Sequence, residues 1–157
     1  MKIIQLFPIV LLLMFSCQDN TKNTIEEDPD TQDKKVNTQL NGAWELVGYY
    51  NYVNNKVTDS FKLTEGYKQV KMYTATKVMW SKSVPLDSTE WFGYGSYEIA
   101  GNDLTEMLNY GSEMMTKIIQ EEKEFRYELN LSPNKFSQIE LDDDGNRIFS
   151  ENYARIE

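Results

Sequence analysis

The sequence has no histidine, one cysteine, and 16 lysines and arginines against 25 aspartates and glutamates in 157 residues. Each shortage excludes a chemistry. Without histidine the chain lacks the usual general base, the commonest zinc ligand and the usual partner of a nucleophilic serine or cysteine. A single cysteine makes neither an intrachain disulfide nor a thiolate cluster. A formal net charge of −9 opposes binding to a polyanion, which needs a basic footprint, so no nucleic-acid partner is expected. No serine sits in a nucleophile elbow, and no glycine-rich phosphate loop occurs. Paired carboxylates are plentiful, but an acidic chain supplies them without any catalytic meaning. The expectation is a protein that is not an enzyme, with no cofactor and no metal. Its length suits one domain.

What is present begins with a leader. Met1-Lys2 is a short basic stretch, and Ile3 to Phe15 is almost wholly apolar, broken by Gln5 and Pro8. A membrane span needs about 20 apolar residues, so this run is too short to cross. It matches the hydrophobic region of a secretory signal. Met14-Phe15-Ser16-Cys17 resembles a bacterial lipobox, with Phe15 departing from its preference for a small residue. The resemblance implies diacylglyceryl transfer to Cys17, cleavage after Ser16 and N-acylation of Cys17. Acyl chains at about 0.8 kcal/mol per buried CH₂ would make the membrane, through Cys17, a permanent partner. The competing reading is an ordinary secreted protein with a chance cysteine at the cleavage site.

Gln18 to Gln39 is polar, with one Ile and one Val. It buries too little apolar surface to offset chain entropy and reads as a disordered tether. The expected organisation is a lipoprotein signal peptide over 1–16, a lipidated cysteine and tether over 17–39, and one domain over 40–157. The expected location is the outer membrane of a Gram-negative envelope. Asp19, Glu26, Glu27 and Asp28 resemble a surface-export tether, while Asp19 also fits an inner-membrane retention feature; the outer membrane is the expectation, and its leaflet stays open.

From Leu40 onward the pattern changes to aromatic and β-branched alternation with short turn clusters. Nine runs read as strands: Gly42–Tyr50, Val57–Leu63, Tyr67–Thr74, Thr76–Lys82, Tyr94–Ala100, Leu104–Tyr110, Glu124–Leu131, Lys135–Leu141 and Arg147–Ile156. Gly101-Asn102-Asp103, Ser132-Pro133-Asn134 and Asp143-Asp144-Gly145 supply hairpin chemistry. Eight or nine strands with short links predict an all-β, up-and-down antiparallel barrel, which closes its own edges. Ser112 to Glu122 instead spaces Met114, Met115, Ile118 and Ile119 as a helix does. A short helix there is either a lid over a barrel mouth or packing; the alternative is an extension of the next strand. Asp142, Asp144, Gly145 and Glu151 partly match a calcium loop, but strand-like flanks and a hairpin turn explain them without calcium.

Gly42-Ala43-Trp44 at the first strand and Arg155 in the last resemble the lipocalin (calycin) signature. In that family the tryptophan closes one barrel end and a basic residue packs across it, a cation–π contact. Further residues resemble bacterial lipocalin-like domains of uncharacterised function. They are Lys68 and Lys71, Val78 and Trp80, Gly93-Tyr94-Gly95-Ser96-Tyr97, Gly101-Asn102, Thr105-Glu106, and Glu151, Tyr153 and Arg155. Tyr153 stands where tryptophan is usual, and the Met-rich segment is an insertion. The resemblance covers 40–157 and implies a lipocalin-like barrel without catalysis; the family has no settled ligand, and a shared fold would not transfer one.

Strand alternation assigns faces. Trp44, Leu46, Gly48 and Tyr50 read as inward, with Val70 and Met72, Val78 and Trp80, Gly95, Tyr97 and Ile99, and Phe125, Tyr127, Leu129 and Leu131. Glu45, Lys71, Lys77, Glu98, Arg126 and Glu128 read as solvated. Glu106 is in phase with Leu108 and Tyr110, so it points inward and needs a partner, from Arg155 or a tyrosine hydroxyl. The candidate polar cluster is Glu106, Tyr97, Tyr110, Trp80, Tyr127, Tyr153 and Glu151. It either orients a small hydrophobic or amphiphilic ligand or is an internal network in a self-filled barrel that serves as an interaction module. No protein partner is indicated.

Overall fold

The structure, a computed structural model, describes residues 38–157. The leader, Cys17 and all but the last two residues of the expected tether lie outside these residues. The described chain forms β1 (Gly42–Val53), β2 (Lys56–Phe61), β3 (Lys68–Tyr73), β4 (Lys77–Ser83), β5 (Trp91–Ala100), β6 (Asp103–Gly111), α1 (Glu113–Glu121), β7 (Glu124–Ser132), β8 (Lys135–Leu141) and β9 (Arg147–Arg155). Every pairing is antiparallel. From β3 to β9 each strand pairs with the next in the chain, and β9 returns to pair with β1. Eight strands therefore close a ring, the up-and-down barrel that the alternation predicts.

β1 belongs to two neighbours on its other edge. Gly42–Glu45 pair with β3, and Tyr49–Val53 pair with β2. Asn54 and Asn55, both at positive φ, make the tight β1–β2 turn that this chemistry favours. β2 is exposed along its whole length and takes no part in the core. Closure leaves the other strands without a free edge.

Two bulges change the expected faces. The β1–β9 register slips between Leu46 and Gly48, and the β5–β6 register slips between Tyr94 and Gly95. An extra residue in one strand reverses the alternation beyond it. Tyr49 therefore takes the inner position and Tyr50 is exposed, contrary to the simple alternation. Tyr110 likewise faces out at 56% exposure, its ring beside Tyr94 at 5.2 Å. β3 is inverted outright: Gln69, Lys71 and Tyr73 are buried, while Met72 is exposed and Val70 half-buried. Lys71, read from the sequence as solvated, is an interior residue.

One end of the barrel is packed by Trp44, Leu46, Tyr73, Leu104, Phe136 and Tyr153, all buried. Phe136 meets Trp44 edge-on at 5.0 Å and stacks on Tyr153 at 4.6 Å. The Arg155 guanidinium lies 3.9 Å from the Trp44 ring centroid. Arg155 also donates to the carbonyls of Pro133 (2.8 Å), Gln39 (3.0 Å) and Asn41. The Trp44 indole N–H donates to the Leu40 carbonyl at 2.7 Å. Gly42 sits at φ +126°, and a Cβ there would strike the Glu157 carbonyl and the Arg155 guanidinium. Glycine is what lets the chain ends cross over the tryptophan.

β6 runs in the same sense as β1, so α1, which follows it, lies at the opposite end. Ser112 caps the helix by accepting from the Met115 N–H at 3.4 Å, and Glu113 places a negative charge in the first turn. Met115 and Ile119 turn inward and are buried, while Met114 is exposed. The segment is a helix rather than a strand extension. At the β8–β9 turn, the Asp142 carboxylate accepts from the backbone N–H groups of Asp144 (3.1 Å) and Asn146 (2.7 Å). Its oxygens hold a hairpin turn, and the flanks are strands.

Candidate functional site

Between the packed end and α1 lies a layer of buried polar side chains. Lys71 (3% exposed) from β3 meets Glu106 (2%) from β6. The Lys71 ammonium donates to both Glu106 oxygens, at 2.9 and 3.0 Å, and to Gln138 Oε1 from β8 at 2.6 Å. The Tyr73 hydroxyl also donates to Glu106. A buried ion pair is tolerated when hydrogen bonds satisfy what the pair leaves over, and here Gln138 and Tyr73 do so. Lys71 Nζ lies 5.8 and 5.9 Å from the ring centroids of Tyr127 and Tyr153.

Gln138 links this pair to a second carboxylate. Its amide donates to Glu151 Oε2 at 2.9 Å. Glu151 also accepts from Gln69 Nε2 (3.1 and 3.3 Å) and from the Tyr153 hydroxyl (2.5 Å). Gln69 Oε1 in turn accepts from the Tyr67 hydroxyl at 2.7 Å, and Tyr67 from Tyr49 at 3.0 Å. One network thus runs from β1 across β3, β9 and β8 to β6. Burial and the neighbouring carboxylates push the Tyr73 and Tyr153 hydroxyls well above the ordinary phenol range, so both stay protonated as donors.

Above the network, on the α1 side, is a cavity of about 120 Å³. Its polar walls are Gln69, Lys71, Glu106, Gln138, Glu151, Lys82 and Glu140. Trp80, Phe125, Tyr127, Leu108 and Met115 supply the apolar walls. Gly93 makes room for Trp80: a Cβ there would come within 2.9 Å of the indole. Met115 reaches the cavity from α1, which gives the helix a position over it.

Three groups facing this cavity differ from the rest. Among the described residues, no side chain or backbone group hydrogen-bonds the Tyr127 hydroxyl, which burial holds far above the phenol range, with the Glu106 and Glu151 charges adding to the effect. Glu151 accepts only from neutral donors. Glu140 has no partner within hydrogen-bonding or ion-pairing distance among the described residues, and burial first, then the Glu151 charge, raises its carboxyl above the ordinary range. Gln138 pairs across from Glu151 and Glu140 from Phe149, so the two carboxylates are diagonal neighbours on one sheet face.

The structure brings together Glu106, Glu151, Trp80 and Tyr127 around the cavity, with Tyr153 beneath it. Tyr110 is outside the barrel. Tyr97 is inside but elsewhere: its hydroxyl donates to the Thr74 carbonyl at 2.8 Å, and its ring meets Tyr73 at 4.9 Å. The cation beside Glu106 is Lys71, not Arg155, which is committed to Trp44 at the far end. Sequence reasoning missed Gln69, Lys71, Gln138, Lys82 and Glu140. Gln138 in phase with Phe136, and Gln69 and Lys71 in phase with Tyr67 and Tyr73, were the signals that could have found three of them.

No protein-family model matches the chain, and no curated protein matches it. Two solved structures resemble it. A lipocalin-like protein from Bacteroides uniformis is 14% identical, with a TM-score of 0.52, covering 75% of this chain and 99% of that one. An uncharacterized protein from Bacteroides eggerthii is 14% identical, with a TM-score of 0.47, covering 74% and 98%. At such identity the first likeness establishes the fold: the chain is an all-β barrel of the lipocalin-like type.

Proposed function

We propose that this protein is a lipid-anchored envelope protein whose barrel binds or carries a small amphiphilic molecule, and that it is not an enzyme. The observation carrying this reading is the cavity at the α1 end, with aromatic walls, an ordered polar floor and the hydroxyl of half-buried Tyr127 left without a partner. Binding sites combine an apolar lining with a few fixed polar groups in this way. Its size of about 120 Å³ is somewhat below the roughly 150 Å³ that accommodates benzene in an engineered cavity. It therefore suits one end of an amphiphile rather than a whole lipid. The lipobox-like Met14–Cys17 and the leader before it support a lipid anchor in the envelope, and the acidic residues that follow Cys17 favour the outer membrane.

A second reading has its own support. The network satisfies Lys71 and Glu106 entirely from within, and the rest of the barrel is filled by aromatic side chains. A self-filled interaction module would look the same there. Native mass spectrometry of the protein purified from its source membrane separates the two. The proposed function expects a chain beginning at an acylated Cys17 and a retained small-molecule mass. An unlipidated chain overturns the anchor, and a lipidated chain that never retains a ligand favours the module.

A further inference from the structure

The cavity walls are not neutral. Lys71 is cancelled by Glu106, 2.9 Å away. Lys82 holds its ammonium 4.3 Å from the Trp91 ring centroid. Glu140 and Glu151 remain, two carboxylates with no lysine or arginine in ion-pairing reach among the described residues. Five charged groups line the cavity, and the balance is one negative charge in excess. Beside them stand the rings of Trp80, Phe125 and Tyr127 and the free Tyr127 hydroxyl, whose oxygen can accept a hydrogen bond.

Resting on the binder reading above, we infer that the cavity selects a cationic headgroup: the protonated amine of a small amphiphile, seated among Glu140, Glu151 and the Tyr127 hydroxyl. Aromatic faces attract ammonium ions through the ring quadrupole, and carboxylates in a partly desolvated site strengthen that attraction. A carboxylate headgroup would meet repulsion from two glutamates instead. A neutral alcohol could use the Tyr127 hydroxyl but not the charge excess. The apolar remainder of the ligand would lie against Leu108 and Met115, below α1.

The test is calorimetric titration of the full chain at neutral pH with three six-carbon probes: hexylamine, hexanol and hexanoate. Hexylamine is expected to bind saturably and at least about tenfold more tightly than the other two. Tyr127→Phe should weaken hexylamine several-fold without lowering the thermal midpoint, because the lost hydroxyl bonds nothing in the free protein. Glu140→Gln, at the exposed rim, should weaken it as well. Equal affinity for all three probes, or tighter binding of hexanoate, overturns the cationic preference but leaves the binder reading standing. Hexylamine binding that ignores both substitutions overturns the site. No saturable binding by any probe overturns the preference and the binder reading together.

Discussion

The two ends of this barrel solve the same problem with different materials. At the Trp44 end the interior is aromatic, and the charge of Arg155 lies over the indole while donating to four backbone carbonyls. At the α1 end the interior is ionic and amidic, and a cavity remains where apolar packing would otherwise be. The first end is closed by groups whose needs are met within the chain, save the Asn41 side-chain oxygen, which is buried without a partner among the described residues. The second meets most of its needs but leaves the Tyr127 hydroxyl and the Glu140 carboxylate without partners and Glu151, though hydrogen-bonded, without a countercharge. An apolar plug gives stability; an incompletely satisfied polar pocket gives up some of it and keeps a capacity to recognise something else.

Trp44→Ala should have the largest effect. The side chain is wholly buried against Phe136 and under Arg155, and removing a buried tryptophan costs about 3–5 kcal/mol. Denaturant unfolding would show the midpoint falling with its slope unchanged. Hexylamine affinity of the remaining folded protein should not move, since the cavity is at the other end. A coupled loss of affinity would mean that the two ends do not act separately.

Lys71→Met carries the comparison to the polar layer. The substitution leaves Glu106 buried with Tyr73 alone, and breaking a buried pair costs about 3 kcal/mol or more. Replacing both partners, Lys71→Met with Glu106→Leu, should recover most of the loss, because isosteric apolar replacement of a buried pair is often neutral. A single substitution as harmless as the double one would show that water reaches the pair.

The same contrast decides what could be read from the sequence. The closed end was legible because its parts are local signals: Gly42 and Trp44 two residues apart, and an arginine in phase near the end of the last strand. The helix was legible from spacing alone. The polar layer was not, because alternation was converted to faces by assuming an apolar interior. In β3 that assumption chose Val70 and Met72, whereas the partners that make Lys71 and Gln69 tolerable inside stand 35, 67 and 84 residues away. The errors at Tyr50 and Tyr110 have another cause. A bulge is one extra residue in a strand, and its position depends on the neighbour's register, which no single strand reveals.

The smallest expected effect is also the one that sets the two ends most directly against each other. The folded-state carboxyl of Glu140 is raised, first by burial and then by Glu151. The folded protein therefore binds this proton more tightly than the unfolded chain does. Its ionisation weakens the fold as pH rises from the ordinary glutamate range through the raised value, and the loss is complete above that. Glu140→Gln removes the proton and the penalty. Thermal melts should show the variant slightly more stable than the parent at neutral pH, by less than about 0.5 kcal/mol. The difference should shrink towards zero as pH falls below the ordinary glutamate range. Hexylamine binding should change in the opposite direction, becoming weaker at neutral pH. A residue that destabilises its own fold while strengthening the hold on an amine belongs to a binding site. If Glu140→Gln instead lowers stability at neutral pH, the carboxylate is serving the fold, and the α1 end differs from the Trp44 end in composition alone.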